Sequence, residues 1–322
     1  MTMPRTKPVR WLVAGAGHAG QCHIAAISRT SGAALAGIVD PVLTTAEVPI
    51  YRDIAEGLMA AKPDAVIVAA PNDFHRDIAI AAIDAGIPVL CEKPVGRSVA
   101  DAVAVVARAA AKNVPTGVVL NQRTHACSRW VKDLMAAGTL EARSVMFTGA
   151  VPRLGRWHID PLRSGGGALR TIAIHAIDLL VWWLGEPLSI DTQLGGGMAE
   201  DVVAVTGRFA HGRIGSVHIS AVADQGTGPV RCVIDGEKTR VVIDGHRVVD
   251  HRGLSAPPAA EAHDPALKYG PGHLNLIAET TSALAAGCGF PIGLSDALPT
   301  LRLIEQIYVS AGHFTADPAT GR

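Results

Sequence analysis

The sequence predicts an α/β chain: a doubly wound parallel sheet over residues 1–122, then an α+β domain, 123–322, on a mostly antiparallel open sheet. Three observations predict it. In the first third, short runs that are apolar throughout alternate with helix-competent segments, the pattern of a parallel sheet covered on both faces. After Arg123 strand-like runs follow one another across short turns, as in an antiparallel or mixed sheet. A length of 322 residues exceeds one ordinary core and points to two.

Residues 9–14 read as the first strand, 19–29 as its helix and 35–39 as the second strand. A helix at 53–61, a strand at 65–70 and a helix at 75–85 closed by Gly86 follow. A strand at 89–91, an Ala/Val-rich helix at 99–112 and a strand at 116–120 complete the first domain. The 41–52 stretch is too short for a full crossover helix and reads as irregular. In the second domain an amphipathic helix at 127–137 precedes a strand at 143–151, and a Gly-rich turn opens a long helix, 165–184. Strands are expected at 189–194, 202–209, 212–221, 230–234 and 239–243, with His211-Gly212 and Asp235-Gly236 at hairpin turns. A Pro- and Gly-rich surface loop, 253–272, leads to helices at 273–286 and 295–311.

Composition narrows the function. Twenty-nine basic residues balance 29 acidic ones, so no global field draws the chain to nucleic acid or to an anionic membrane. No signal peptide is read at the start, and no apolar run approaches the roughly 20 residues of a spanning helix. Five cysteines (22, 91, 127, 232, 288) are odd in number and form no CxxC pair. Reduced thiols in a cytoplasm, without a metal site, are the expectation.

The chemistry begins at Gly15-Ala16-Gly17-His18-Ala19-Gly20, directly after the first strand. This is a dinucleotide fingerprint in its proper context. Gly15 permits the tight turn, Gly17 lets the backbone approach a pyrophosphate, and Gly20 lets the helix pack close to the strand. Amides at the helix start then face the phosphates with the positive end of the helix dipole. Asp40, twenty residues past Gly20, ends the second strand. A carboxylate there accepts hydrogen bonds from an adenosine ribose and repels a 2′-phosphate, which favours NAD over NADP. The plainer reading makes Asp40-Pro41 a simple turn.

Three constellations follow. Ala70-Pro71-Asn72 and His75 lie at the carboxyl end of the third long strand, where Asn72 can bond a ribose and His75 can bind cofactor or cap the helix. Glu92-Lys93-Pro94 lies at the next strand end. Lys93 there can donate to a substrate hydroxyl or relay a proton, while Glu92 can hold the ammonium or contact the nicotinamide ribose. The third is Gly165-Gly166-Gly167 and the helix they open, where Thr171, His175 and Asp178 recur at i, i+4 and i+7. That spacing puts them on one helix face. A buried His–Asp pair is the structural alternative; His175 as acid/base is the functional one, because imidazole titrates near neutrality.

In this order the constellations resemble the Gfo/Idh/MocA family of sugar and cyclitol dehydrogenases. The resemblance takes in the fingerprint with His23, Pro71-Asn72 with His75, Ala85-Gly86 before Glu92-Lys93-Pro94, and Asn121-Gln122-Arg123. It continues through Gly165-Gly166-Gly167 with His175 and Asp178 to Ile304-Glu305, Tyr308 and Ser310-Ala311. It implies a Rossmann domain, an NAD cofactor contacted also by Gln122, and a homodimer or homotetramer formed through the second domain's open sheet. Members often carry an aspartate four residues before the helix histidine; here Thr171 stands there, so the proton relay implied is Lys93 with His175, and Thr171 at most passes a hydrogen bond. Arg123, Trp157, Arg163 and Arg170, with His175 and Asp178, are the candidates for substrate binding. The expected activity is hydride transfer between nicotinamide and a secondary alcohol or ketone of a polyol-like small molecule. A non-catalytic sensor of the same fold is the rival, and retention of both Lys93 and His175 speaks for the enzyme.

Overall fold

The computed structural model describes residues 7–152, 155–223, 230–261, 264, 267 and 270–313. Its contacts divide the chain into two units, Met1–Asn121 with His263–Leu298, and Gln122–Ala262 with Pro299–Arg322. The sequence boundary at 122/123 puts residues 263–298 in the second domain, whereas their contacts place them with the first.

The first unit runs β1 (Val9–Ala14), α1 (His18–Arg29), β2 (Ala33–Val39), β3 (Ile50–Tyr51), α2 (Ile54–Ala61) and β4 (Ala65–Val68). It continues through α3 (Asn72–Asp84), β5 (Val89–Cys91), α4 (Val99–Lys112) and β6 (Thr116–Val118). The strands make one parallel sheet in the order β3-β2-β1-β4-β5-β6. Strand order reverses between β1 and β4, so the carboxyl ends of β1, β2, β4 and β5 open on the crevice where such sheets bind ligands. Val9, Leu12, Val66, Ile67, Val89 and Leu90 are fully buried, as a sheet covered on both faces requires. Asp53 caps α2 by accepting from the Glu56 amide at 2.8 Å, and Ser98 caps α4 by accepting from Asp101 at 3.1 Å. The irregular 41–52 stretch holds one short strand, β3, which the sequence did not signal because two residues carry no period.

The returning segment explains its own placement. Its helix, counted below as α8 (Gly272–Ala285), packs on α1, and Trp11 Nε1 donates to Thr281 Oγ1 at 3.2 Å. Gly293 bridges Gly117, where a side chain would strike the Phe290 ring. Helix α8 therefore covers apolar surface that the first 121 residues leave exposed.

The second unit contains α5 (Ala126–Ala136), β7 (Ala142–Pro152), α6 (Pro161–Ser164) and α7 (Ile174–Leu184). Then come β8 (Ser189–Gly195), β9 (Val202–Arg208), β10 (Ile214–Ala223), β11 (Arg231–Gly236), β12 (Arg240–Asp244) and β13 (Arg247–Asp250). After α8, α9 (Leu298–Ser310) ends the described chain. The sheet order is β13-β12-β11-β7-β10-β9-β8, antiparallel except where β10 pairs β7. His211 and Gly212 take positive φ (61° and 70°) at the β9–β10 turn, as expected. The β11–β12 turn lies just past Asp235-Gly236, since Gly236 still pairs with Ala142. The 253–272 loop falls partly outside the described residues. The stretch 161–184 is long and apolar enough to cross a membrane, but 72% of its apolar 18-residue window is buried inside the fold, as in a core helix.

Candidate active site

The first unit presents a dinucleotide cradle. Gly15 adopts φ +104°, and a Cβ there would lie 2.5 Å from the Ala69 carbonyl carbon. A Cβ on Gly20 would overlap the Gly15 carbonyl oxygen, whereas one on Gly17 would meet nothing within 4 Å. Two glycines are thus demanded by packing and the third by open space beside the backbone, which suits an approaching pyrophosphate. Gly17 is the N-cap of α1 and no side chain caps that helix, so the exposed His18 and the neighbouring Ala19 bring uncapped first-turn amides to the site.

Asp40 is oriented by three amides: Ala16 on Oδ2, and Val42 and Leu43 on Oδ1, each at 2.9 Å. It is therefore a fixed carboxylate beside the fingerprint. The sequence places no arginine beside it, but the fold does. Arg52 Nη1 donates to the carbonyls of Asp40 (3.3 Å), Pro41 (3.1 Å) and Leu43 (2.9 Å), so its charge shapes the loop while that nitrogen is occupied.

At the end of β4, Ala70 and Pro71 lead into α3, whose first residue is the buried Asn72. His75 is inside the helix, not at its cap. Its Nδ1 lies 2.8 Å from the Pro94 carbonyl and its Nε2 2.6 Å from the Ala70 carbonyl; the neutral ring donates to one of them, and only the imidazolium donates to both crevice loops at once. Burial pulls the His75 imidazole below its ordinary pKa, against the opposing pull of the two carbonyls and Glu92.

Glu92 is buried, and its carboxylate does not face a ribose as the sequence reading allowed. Oε1 accepts from His23 Nε2 at 2.8 Å and stands 3.4 Å from His273 Nε2, while Oε2 accepts from the Lys93 amide at 3.2 Å. Asn121 Nδ2 lies 3.3 Å from His273 Nδ1. Burial opposes ionisation, but the hydrogen bonds directed at it by both histidines hold Glu92 well below the usual carboxylate range. Lys93, half-buried, is pulled below the ordinary lysine range by burial and pushed back up by Glu92. His23 and His273 are the residues missing from the sequence-derived site; an apolar-helix histidine gives no signal of its partner when that partner is distant in the chain.

In the second unit the polar stripe divides. Residues Leu169–Ala173 form a π-helical turn and α7 starts only at Ile174, so the long helix read from the sequence is interrupted. Thr171 Oγ1 donates to the Gly167 carbonyl at 2.7 Å, inside its own helix. Asp178, 1% exposed, takes Arg123 Nη2 at 2.7 Å and Nε at 2.9 Å, with Thr300 Oγ1 at 2.9 Å. Arg123 and Asp178 thus neutralise each other in a bidentate pair, which engages the two charges that the sequence offered for substrate binding. His175, three residues before Asp178 on α7, is half-buried.

The other candidates scatter. Trp157 stacks on His158 with ring centroids 3.8 Å apart, and Arg163 sits half-buried on α6. Arg170 is buried with its guanidinium 5.6 Å from the Tyr308 ring centroid. Gln122 opens the second unit in a short 3₁₀ turn. Sequence reasoning missed Glu200, which accepts from the Gly167 and Leu169 amides (2.9 Å each) and from Tyr308 Oη at 2.8 Å. It fixes the glycine turn that starts the histidine helix, and no motif announces it.

Comparison with known proteins agrees with this geometry. Residues 9–120 match the oxidoreductase family with NAD-binding Rossmann fold, and 129–242 match the GFO/IDH/MocA C-terminal domain. The chain is 28% identical to inositol 2-dehydrogenase of Rhizobium meliloti strain 1021, over 92% of this chain and 95% of that one. It is 33% identical to 1,5-anhydro-D-fructose reductase of Ensifer adhaerens, but over 48% of this chain and half of that protein. The WlbA dehydrogenase from Bordetella pertussis, solved with NADH and UDP-GlcNAcA, shares the fold with a TM-score of 0.83 at 24% identity, covering 95% of this chain and 96% of that one.

Proposed function

Because this chain belongs to the Gfo/Idh/MocA oxidoreductase family, we propose that it is an NAD(H)-dependent dehydrogenase or reductase of a sugar, cyclitol or related polyol. The observation that carries the reading is the cradle of Gly15, Gly17 and Gly20 with the fixed carboxylate of Asp40. When bound, the nicotinamide accepts hydride from a secondary carbinol carbon or returns it to a ketone. The residues supply the rest. Neutral His175 takes the hydroxyl proton in oxidation and gives it back in reduction. Lys93, as an ammonium, donates to the substrate oxygen and stabilises the charge that develops on it. Thr171, whose hydroxyl donates to the Gly167 carbonyl, at most passes a hydrogen bond.

Substrate orientation falls to Trp157 and Arg163, since Arg170 is buried against Tyr308, in a cytoplasmic homo-oligomer assembled through the open sheet. Support for assembly comes from Met146 (40% exposed) on β7 and Val222 (53%) on β10, apolar residues whose strand neighbours Val145, Phe147 and Ala221 are buried. The test is turnover of a panel of cyclitols, aldoses and their ketones with NAD and NADH, alongside direct NAD and NADP titrations. NAD should bind more tightly than NADP; the reverse order would remove Asp40 from the assignment.

A further inference from the structure

The turn after β2 is built between two opposite charges, and the proposed chemistry uses only one of them. Its amides meet the anion: Val42 and Leu43 donate to Asp40 Oδ1, and Ala16 of the fingerprint donates to Oδ2, each at 2.9 Å. Its carbonyls meet the cation: those of Asp40, Pro41 and Leu43 lie 3.3, 3.1 and 2.9 Å from Arg52 Nη1. Hydrogen bonds to an ionised partner are roughly twice as strong as neutral ones, so the two side chains together set the direction of the turn's peptide groups. The edge of the parallel sheet delivers Arg52 to that place. β3 has two residues, yet it pairs Ile50 with Ile38 and Tyr51 with Val39, and the Asp40 amide donates to the Tyr51 carbonyl at 2.9 Å. Gly37 leaves room for the Tyr51 ring, since a Cβ there would lie 2.7 Å from it. Arg52 follows directly, its own amide donating to Glu56 Oε2 at 2.8 Å in the first turn of α2.

We propose that Arg52 is a positioning residue for cofactor selection: by gripping the carbonyls of the 40–43 turn, it holds the Asp40 carboxylate in the orientation that accepts a ribose hydroxyl and repels a 2′-phosphate. The inference rests on the NAD reading for its consequence. Counting acceptor positions sharpens it. A carboxylate offers about four, and the three amides fill both on Oδ1 and one on Oδ2. The position left is on Oδ2, the oxygen already tied to the fingerprint through Ala16. Asp40 therefore takes one hydroxyl, on the fingerprint side, and a small rotation of the carboxylate would misplace that position. Without the guanidinium the three carbonyls lose their charged partner, and the turn that aims the Val42 and Leu43 amides is free to open. A guanidinium beside the ribose site can also take a 2′-phosphate directly. That role would make Arg52 favour NADP, the opposite of the effect proposed, and the same measurements separate the two.

The test is direct titration of the full chain with NAD and with NADP, in the wild type, Arg52→Met, Asp40→Ala and the double variant. An ionic strength of about 1 M, where the Debye length is about 3 Å, screens the exposed charges. Arg52→Met should cut the preference for NAD about tenfold or more, the worth of one charge-assisted hydrogen bond, through weaker NAD binding. In the Asp40→Ala background the same substitution should change the preference no further, because its effect passes through the carboxylate. An unchanged preference in folded Arg52→Met overturns the proposal. So does a preference that rises through lost NADP binding, or one that shifts equally when Asp40 is absent, since either marks direct contact with the cofactor. Should Arg52→Met not fold, amide hydrogen exchange of the cofactor-free wild type decides. The Val42 and Leu43 amides must be protected although the Val42 side chain is 81% exposed; free exchange at both overturns the proposal. Exchange needs no cofactor, so a wild type that binds neither dinucleotide would count against the dehydrogenase reading alone.

Discussion

Asp178 accepts two hydrogen bonds from Arg123 and one from Thr300 while only 1% exposed, so removing it strands a nearly buried guanidinium. Asp178→Ala is expected to lower stability by about 3–5 kcal/mol, read by urea unfolding; a loss under about 1 kcal/mol would place the pair among weak surface ion pairs. The proton-handling residues should behave differently. Lys93→Ala and His175→Ala are each expected to reduce kcat on the order of 10²-fold or more, with NAD affinity little changed in His175→Ala. Thr171→Val should reduce kcat less than His175→Ala does, because its hydroxyl serves Gly167. Equal losses in the two would mean that Thr171 joins the relay. At this scale the sequence shows which residues are polar on apolar elements, but not whom they meet. Arg123 and Asp178 are 55 positions apart, and Glu92 and His273 further still, so no local spacing encodes those contacts.

Among the elements, the glycine turn and the helix after it decide where His175 stands. The π-helical turn Leu169–Ala173 carries one residue more than an α-helical path would, and Glu200 holds its amides. Deleting Ile172 should let the segment relax to α-helix and rotate what precedes it by about 100° against α7. We expect that deletion to abolish turnover while NAD still binds; retained turnover would mean the turn has no role in placing the histidine. Hydropathy alone cannot distinguish the two helix types, since a continuous apolar run satisfies both. The α1–β5–α8 cluster makes a pH prediction. The folded pKa of His23, and that of His75, lies below 6.5, so the unfolded chain binds more protons as acid is added. Stability from these two groups is complete above about pH 6.5 and is lost as pH falls through the folded values. Tm should therefore drop below that pH, and drop less in His23→Gln; a flat Tm from neutrality to mild acid would mean that folding does not disfavour the charged form of these two histidines.

For the whole molecule, the parallel sheet and the antiparallel sheet were legible because each follows a pattern. Uniformly apolar strands between helices marked one, and runs of strands joined by short turns marked the other. The return of residues 263–298 to the first unit was not legible, since nothing in a helix's composition states which core it covers. Assembly is the property that composition leaves to experiment: the open sheet predicts a concentration-dependent dimer or tetramer by sedimentation, and Met146→Lys on β7 should weaken it.

The most direct test of the account is single-turnover NADH formation with a deuterated cyclitol or sugar, following whether the label moves from carbinol carbon to nicotinamide. The account predicts label transfer in the wild type, slowed on the order of 10²-fold in His175→Ala. Binding of NAD with no transfer from any member of a broad polyol panel, in either direction, would contradict it.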